Sequence, residues 1–236
     1  MKFDFSVEVQ RSDRKQTAEI TVTNSQVIVA VPHSLSEQRI QSLVNKRRGW
    51  INKKLALQSQ VIPFKPKEFV SGEAFSYLGR NYRLKLTGND SVKLKNGYFH
   101  LGNGNGNGNG NGNGNSTTEK AHLKAILEDW FQTHATQRLS QKTQRYAKIL
   151  GVSPRSITVK DFKTKWGSCS VRGDIAYNWR IIMAPHGIVD YVVVHELSHL
   201  VEHNHSSKFW HAVEKTMPDY RDKKQWLKVH GQHLAW

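Results

Sequence analysis

A single cysteine, Cys169, is the only thiol in the chain. No intrachain disulfide can staple the fold, so packing, a bound metal or both must hold it. No stretch approaches the roughly 18–20 uninterrupted apolar residues of a membrane-spanning helix. The N-terminus, Met1-Lys2-Phe3-Asp4, runs into polar residues where a secretory signal would place its apolar segment. These absences predict a soluble, cytoplasmic protein with no membrane anchor. Acidic residues are also scarce, with 19 Asp and Glu against 35 Lys and Arg, a formal net charge of +16.

An excess of that size attracts polyanions such as nucleic acid or acidic protein surfaces. Two segments carry much of it. One contains Lys46, Arg47, Arg48, Lys53 and Lys54 around Trp50; the other runs from Lys142 to Arg172, where Asp161 is the only acid. The five cations of the first segment are candidate nucleic-acid contacts, and the alternative is a solvated face that keeps the protein soluble.

The 236 residues, 37% hydrophobic and 23% charged, suffice for one large or two modest domains with a buried core. From Phe3 to Val31, short β-branched runs such as Ala18-Glu19-Ile20-Thr21-Val22 and Val27-Ile28-Val29-Ala30-Val31 predict strands that end at Pro32. Ser34-Leu35-Ser36-Glu37 then places a capping Ser three residues before a Glu. Ile40, Leu43, Val44, Ile51 and Leu55 follow at helical spacing. Further strands are expected from Phe69 to Leu101, with Asn96-Gly97 as a two-residue hairpin turn.

Residues 102–115 are a Gly-Asn alternation that cannot bury surface and is expected to act as a loop or linker. Helical pattern resumes at once, with Ser116-Thr117-Thr118-Glu119 as a second capping box. Leu123, Ile126, Leu127, Trp130 and Phe131 share one face of that helix. The domain boundary is therefore expected in this tract, with a β-rich N-terminal domain over 1–101 and a second domain over 116–236. Strands are expected over 156–159 and 174–182, and helices over Val189–Glu202 and Ser207–Thr216. Strands standing beside helices, not alternating with them, predict an α+β architecture.

Chemistry concentrates in His195-Glu196-Leu197-Ser198-His199, an HExxH pattern that follows the apolar Tyr191-Val192-Val193-Val194. On a helix, residues four apart share a face. Both imidazoles can then bind one metal while Glu196 sits beside its open position. A catalytic zinc site normally takes a third protein ligand, and His205 is the best candidate.

A continuing helix would carry His205 about 9 Å along the axis and away from the metal. The helix must therefore stop first, and His203-Asn204 is a plausible stop because Asn tolerates left-handed backbone. His203 and Glu202 would lie one turn too far along the same rigid helix, whereas Glu214, on the next helix, is a serious rival. In such a site the metal acidifies water and polarises a carbonyl, and Glu196 moves the proton as base and then acid. Tyr177, Tyr191, His211 and His233 are the candidate oxyanion stabilisers. A zinc site that only staples the fold would usually fill four positions with Cys or His, and the chain has one Cys.

The sequence resembles the YgjP-like metal-dependent hydrolases, related to the SprT and Wss-type zinc peptidases. The resemblance rests on Lys165-Trp166-Gly167-Ser168-Cys169-Ser170, on Tyr177-Asn178-Trp179-Arg180, on Asp190 through His199, and on His203-Asn204-His205-Ser206-Ser207-Lys208-Phe209-Trp210. In the N-terminal half it extends to Arg11-Ser12-Asp13-Arg14-Lys15, Gly49-Trp50-Ile51, Gly72-Glu73 and Tyr77-Leu78-Gly79-Arg80.

The resemblance implies one zinc ion on His195, His199 and His205, Glu196 as catalytic acid and base, a polypeptide substrate, and a zincin-like C-terminal domain. It also implies that Trp166-Gly167-Ser168-Cys169 forms a sheet edge beside the cleft, where an extended substrate could pair and Trp166 touch it. Cys169 is expected to be a small core residue more than a zinc-blocking thiol. Trp179 and Trp210 are expected in the core. Two other functions compete with a free peptidase: a protease guided to its targets by nucleic acid, and a nucleic-acid-binding module with a structural zinc.

Overall fold

The computed structural model describes residues 4–13, 17–23, 26–59, 65–87, 91–102, 117–234 and 236. The architecture is mixed α+β, with three small sheets and five α-helices among the described residues. It divides into two compact units, Met1–Phe64 and Lys65–Trp236.

In the first unit, β1 (Val7–Ser12), β2 (Glu19–Thr23) and β3 (Gln26–Pro32) form a sheet of order β1-β3-β2. β1 runs parallel and β2 antiparallel to β3. Val27, Val29 and Val31 alternate inward with the period of two that a half-buried strand requires. Helix α1 (Glu37–Ser59) supplies Ile40, Val44 and Ile51 to the same core. Fully burying such aliphatic side chains contributes roughly 1.5–3 kcal/mol each. The helix starts two residues later than a Ser34 cap would place it, because Ser36 is the cap and its hydroxyl accepts from the Arg39 amide at 3.4 Å.

The second unit begins with β4 (Ala74–Tyr77), β5 (Arg80–Thr87), β6 (Lys93–Lys95) and β7 (Tyr98–Gly102), in the order β4-β5-β7-β6. The expected β6–β7 hairpin is present, with φ of 52° at Asn96 and 80° at Gly97, the left-handed pair such a turn needs. Helix α2 (Thr117–Leu150) buries Leu123, Leu127, Phe131, Ala135, Leu139, Thr143 and Ala147, one stripe repeating every four residues. Phe75 and Phe99 from the sheet meet Phe131 and Trp179 in one core.

The strands of 74–102 therefore pack with α2, and the compact units divide before Lys65 instead of within the Gly-Asn tract. Beyond Gly102, which ends β7, the tract lies outside the described residues, as does Ser116 of the second capping box.

A third sheet follows, from β8 (Ser156–Lys160), β9 (Gly167–Cys169) and β10 (Asp174–Asn178), in the order β8-β10-β9. The strand expected over 174–182 stops at Asn178. There the side-chain oxygen accepts from the Arg180 amide at 3.1 Å and caps a 3-10 turn, Trp179–Met183. Helices α3 (His186–Ser198), α4 (Ser207–Thr216) and α5 (Tyr220–His230) complete the unit, with a final 3-10 turn, Gly231–Leu234. Among the described residues no helix is long and apolar enough to cross a membrane.

Candidate metal centre

Helix α3 is apolar nearly all round, with Ile188, Val189, Tyr191, Val192, Val193, Val194 and Leu197 buried. A helix of that kind belongs in the interior. It is tied to α2 by Lys142 and Asp190, whose Nζ and Oδ1 lie 2.5 Å apart. His195 and Glu196 ride on its last turn, and His199 is its C-cap with φ of −66°, still helical. The i, i+4 geometry of the motif is therefore kept, and the two imidazole centroids lie 5.1 Å apart.

The chain then turns back sooner than Val189–Glu202 would have it. The amides of His199, Leu200 and Val201 donate to carbonyls three residues earlier, which tightens and ends the helix. The expected left-handed Asn204 is not found. Its Oδ1 instead accepts from the Ser206 amide at 2.9 Å, a local turn that launches α4. Ser206 caps α4 by accepting from the Phe209 amide.

This path delivers His205 to the other two. One ligand nitrogen from each of His195, His199 and His205 lies within 4.8 Å of the others. The Nε2 atoms of His195 and His205 are 3.1 Å apart. Two nitrogens on one tetrahedral zinc stand about 3.3 Å apart, given Zn–N distances of about 2.0–2.1 Å. Among the described residues this is the one such cluster.

The rivals lie elsewhere. Glu214 is engaged by the Arg221 guanidinium at 2.8 Å. Glu202 offers its backbone carbonyl to His199 Nδ1 at 3.3 Å, a contact that orients the ring and leaves Nε2 as the atom that could meet a metal. His203 is exposed.

The electrostatics suit a cation. Burial, followed by the neighbouring imidazoles of His199 and His205, lowers the His195 pKa to about 3. Burial also lowers that of His199. Both rings therefore present the neutral form that metals bind. His195 Nδ1 is buried without a hydrogen-bond partner among the described residues.

Glu196 is 5% exposed. Burial raises its pKa to about 8, with the Lys165 ammonium opposing the rise. Its carboxyl lies directly on β9, where a Cβ on Gly167 would stand 2.5 Å from Glu196 Oε1. The tyrosines are less available as oxyanion stabilisers. Tyr177 is fully buried, and its hydroxyl accepts from Thr143 at 3.0 Å. Tyr191 is buried 5.9 Å from the His195 ring, its pKa pushed up to about 12 by burial and then by Glu196. His211 is exposed, and His233 is half-buried, its Nε2 without a hydrogen-bond partner among the described residues.

Cys169 is half-buried on β9. Burial first and Glu196 second raise its pKa to about 11, which keeps the thiol protonated and a poor ligand. Trp166 is half-buried against Gly231. Trp179 is a core residue as expected. Trp210 is not only that: half-buried, it stacks on His205 at 5.6 Å and on Tyr220 at 5.2 Å, with the Lys224 ammonium 3.7 Å from its ring centre. Lys46, Arg47, Arg48, Lys53 and Lys54 all belong to α1 of the first unit and are exposed.

Two further residues have roles that the HExxH motif does not disclose. Phe209 is fully buried, and its ring centre lies 5.0, 4.6 and 4.7 Å from those of His195, His199 and His205, an apolar floor under all three. The signal was its place one turn after His205. The other is Gly167, whose missing side chain makes room for Glu196.

The family model of the YgjP-like metallopeptidase domain matches residues 16–230. No curated protein matches the chain. Among solved structures, the metallopeptidase zymogen of Pyrococcus abyssi abylysin is similar at 24% identity and a TM-score of 0.36, over 40% of this chain and 93% of that one. The metallopeptidase zymogen of Methanocaldococcus jannaschii jannalysin is similar at 19% identity and a TM-score of 0.35, over 40% of this chain and 95% of that one.

Proposed function

Because the chain belongs to the YgjP-like metallopeptidases, a family of metal-dependent peptidases, we propose that it hydrolyses peptide bonds at one zinc ion held by His195, His199 and His205. Glu196 serves as general base and then general acid. The observation that carries this reading is the convergence of three imidazole nitrogens within 4.8 Å beside a buried carboxyl. The α3 motif helix against α2, and β9 at the edge of a mixed sheet, support a zincin-like arrangement for 116–236.

A divalent ion at that donor set supplies Lewis acidity to a carbonyl and to water. Glu196 takes the proton of the attacking water and hands it to the amine nitrogen as the C–N bond breaks. The open edge of β9 aligns an extended substrate through backbone hydrogen bonds. The test is turnover of an unfolded polypeptide by zinc-loaded protein. Glu196→Gln should abolish cleavage and keep the metal; cleavage that survives this variant contradicts the assignment.

A second reading adds recruitment by nucleic acid. It is favoured by α1, where Lys46, Arg47, Lys53 and Lys54 are exposed around Trp50, itself 40% exposed with Lys54 Nζ 5.9 Å from its ring centre. Phosphate contacts make log K fall with log salt by about 0.9 per contact. Binding to an oligonucleotide that does not weaken with added salt would remove this reading and leave the peptidase intact.

A further inference from the structure

Strand β9 pairs with β10 on one side only; its other edge is open among the described residues. Just before it, residues 161–166 curl around a cavity of about 460 Å³, closed by Asn178, Arg180 and the turn at Gly231. The volume lies within the roughly 300–1,000 Å³ of small-ligand sites.

The cavity is built, not incidental. Asn178, 3% exposed, donates through Nδ2 to the carbonyls of Phe162 at 2.8 Å and Lys165 at 3.1 Å. Its amide donates to the Trp166 carbonyl at 2.8 Å. Gly231 lies on the Trp166 indole, where a Cβ would come within 3.0 Å of the ring.

The charge of the lining is one-sided. Asp161, its only acid, is bound to the Arg180 guanidinium, which also reaches Glu128 at 3.6 Å. Lys163 and Lys165 are exposed and enter no ion pair among the described residues; Lys165 Nζ sits 4.8 Å from the Phe162 ring centre.

Position joins the cavity to the chemistry. Trp166 lines it, the next residue is Gly167, and the Glu196 carboxyl rests on Gly167. Successive Cα atoms are about 3.8 Å apart. A peptide laid along the open edge of β9 would thus place a side chain one or two residues from the scissile bond over this cavity.

We propose that the cavity is a specificity pocket for a carboxylate of the substrate polypeptide, with Lys163 and Lys165 as its counter-ions. The inference rests on the peptidase reading above and deepens it. An internal Asp or Glu side chain and a C-terminal α-carboxylate share this chemistry.

The test uses the full-length, zinc-loaded protein and matched peptides carrying Glu, Gln or Lys at each position flanking the cleaved bond, with free and amidated C-termini. The ratio of kcat/KM for Glu over Gln peptides is read within each protein, which cancels any effect of Lys165 on Glu196. Wild type should favour Glu, and each lysine should account for up to about five-fold of the ratio, as exposed ion pairs do. Lys163→Glu should reduce the preference, and adding Lys165→Glu should turn it toward the Lys peptide. Loss of the preference on amidation alone assigns the pocket to a C-terminus.

Equal cleavage of all three peptides by active wild type overturns the proposal and spares the peptidase reading. If no peptide is cleaved, the peptidase reading falls, and anisotropy of a labelled Glu peptide on the Glu196→Gln protein still decides the pocket. Affinity unchanged by Lys163→Glu, or a site that takes a DNA oligonucleotide and no peptide, overturns it.

Discussion

Gly167 and Glu196 form the tightest steric relation in the centre. The carboxyl occupies the space that any side chain on β9 would need, 2.5 Å from where a Cβ would stand. Gly167→Ala should therefore displace Glu196 without touching an imidazole. The expected result is a fall in kcat of about a hundred-fold, the cost of a misplacement near 1 Å, with zinc affinity measured by competition unchanged. A variant of full activity would show that Glu196 does not depend on this contact.

Protonation gives a second prediction at this scale. In the metal-free protein the Glu196 pKa stands at about 8, above the ordinary 4.5. The folded state then holds a proton that the unfolded state has lost, so stability falls as pH rises from 4.5 toward 8. His195 works oppositely, because its folded pKa of about 3 lies below the ordinary 6.5. Stability there falls as pH drops from 6.5 toward 3. Thermal melts of metal-free Glu196→Gln should exceed wild type at pH 8 and above and converge with it near pH 4. Parallel melting curves at all pH values would contradict the burial argument.

Among the elements, α4 sets the position of His205, the proposed third ligand. Ser206 caps it one residue after His205, and Phe209 inside its first turn seats all three rings. Ser206→Ala should cost about 1 kcal/mol in denaturant unfolding and weaken zinc binding, since the cap and the ligand share one turn. Unchanged zinc affinity would show that His205 is held by its own loop.

The elements also divide what the sequence discloses from what it conceals. Asn96-Gly97 announces its hairpin because two left-handed residues in a row suit little else. The Ser207–Thr216 helix and the i, i+4 pair of His195 and His199 are legible for the same reason, local chemistry that agrees with the final structure. Asn178 defeats the pattern. Its neighbours Trp179, Arg180, Ile181 and Ile182 read as strand, but its side chain caps a 3-10 turn and also holds the carbonyls of Phe162 and Lys165, a partnership set by distant residues. The end of α3 is hidden likewise, because a tightened last turn leaves no residue-type signature.

At the scale of the molecule, the Gly-Asn tract looked like a boundary by composition, while the aromatic core joining Phe75 and Phe99 to Phe131 places the strands before it in the same unit as α2. Composition reports chain entropy and not which surfaces bury one another. Without disulfides, the proposed metal would be the one cross-link between α3 and the turn carrying His205. Zinc at a free concentration a hundred times its Kd should stabilise the folded chain by about 2.7 kcal/mol. Chelation should lower the melting temperature accordingly, and a melting temperature indifferent to chelator would separate the metal from the fold.

The hydrolase reading stands on His205 joining His195 and His199 on a single ion. X-ray absorption at the zinc edge of the loaded protein, compared with His205→Ala, addresses it directly. The expected result is one zinc per chain with three imidazole nitrogens at about 2.0–2.1 Å and the loss of one of them in the variant. An unaltered coordination shell after removal of His205 would contradict it.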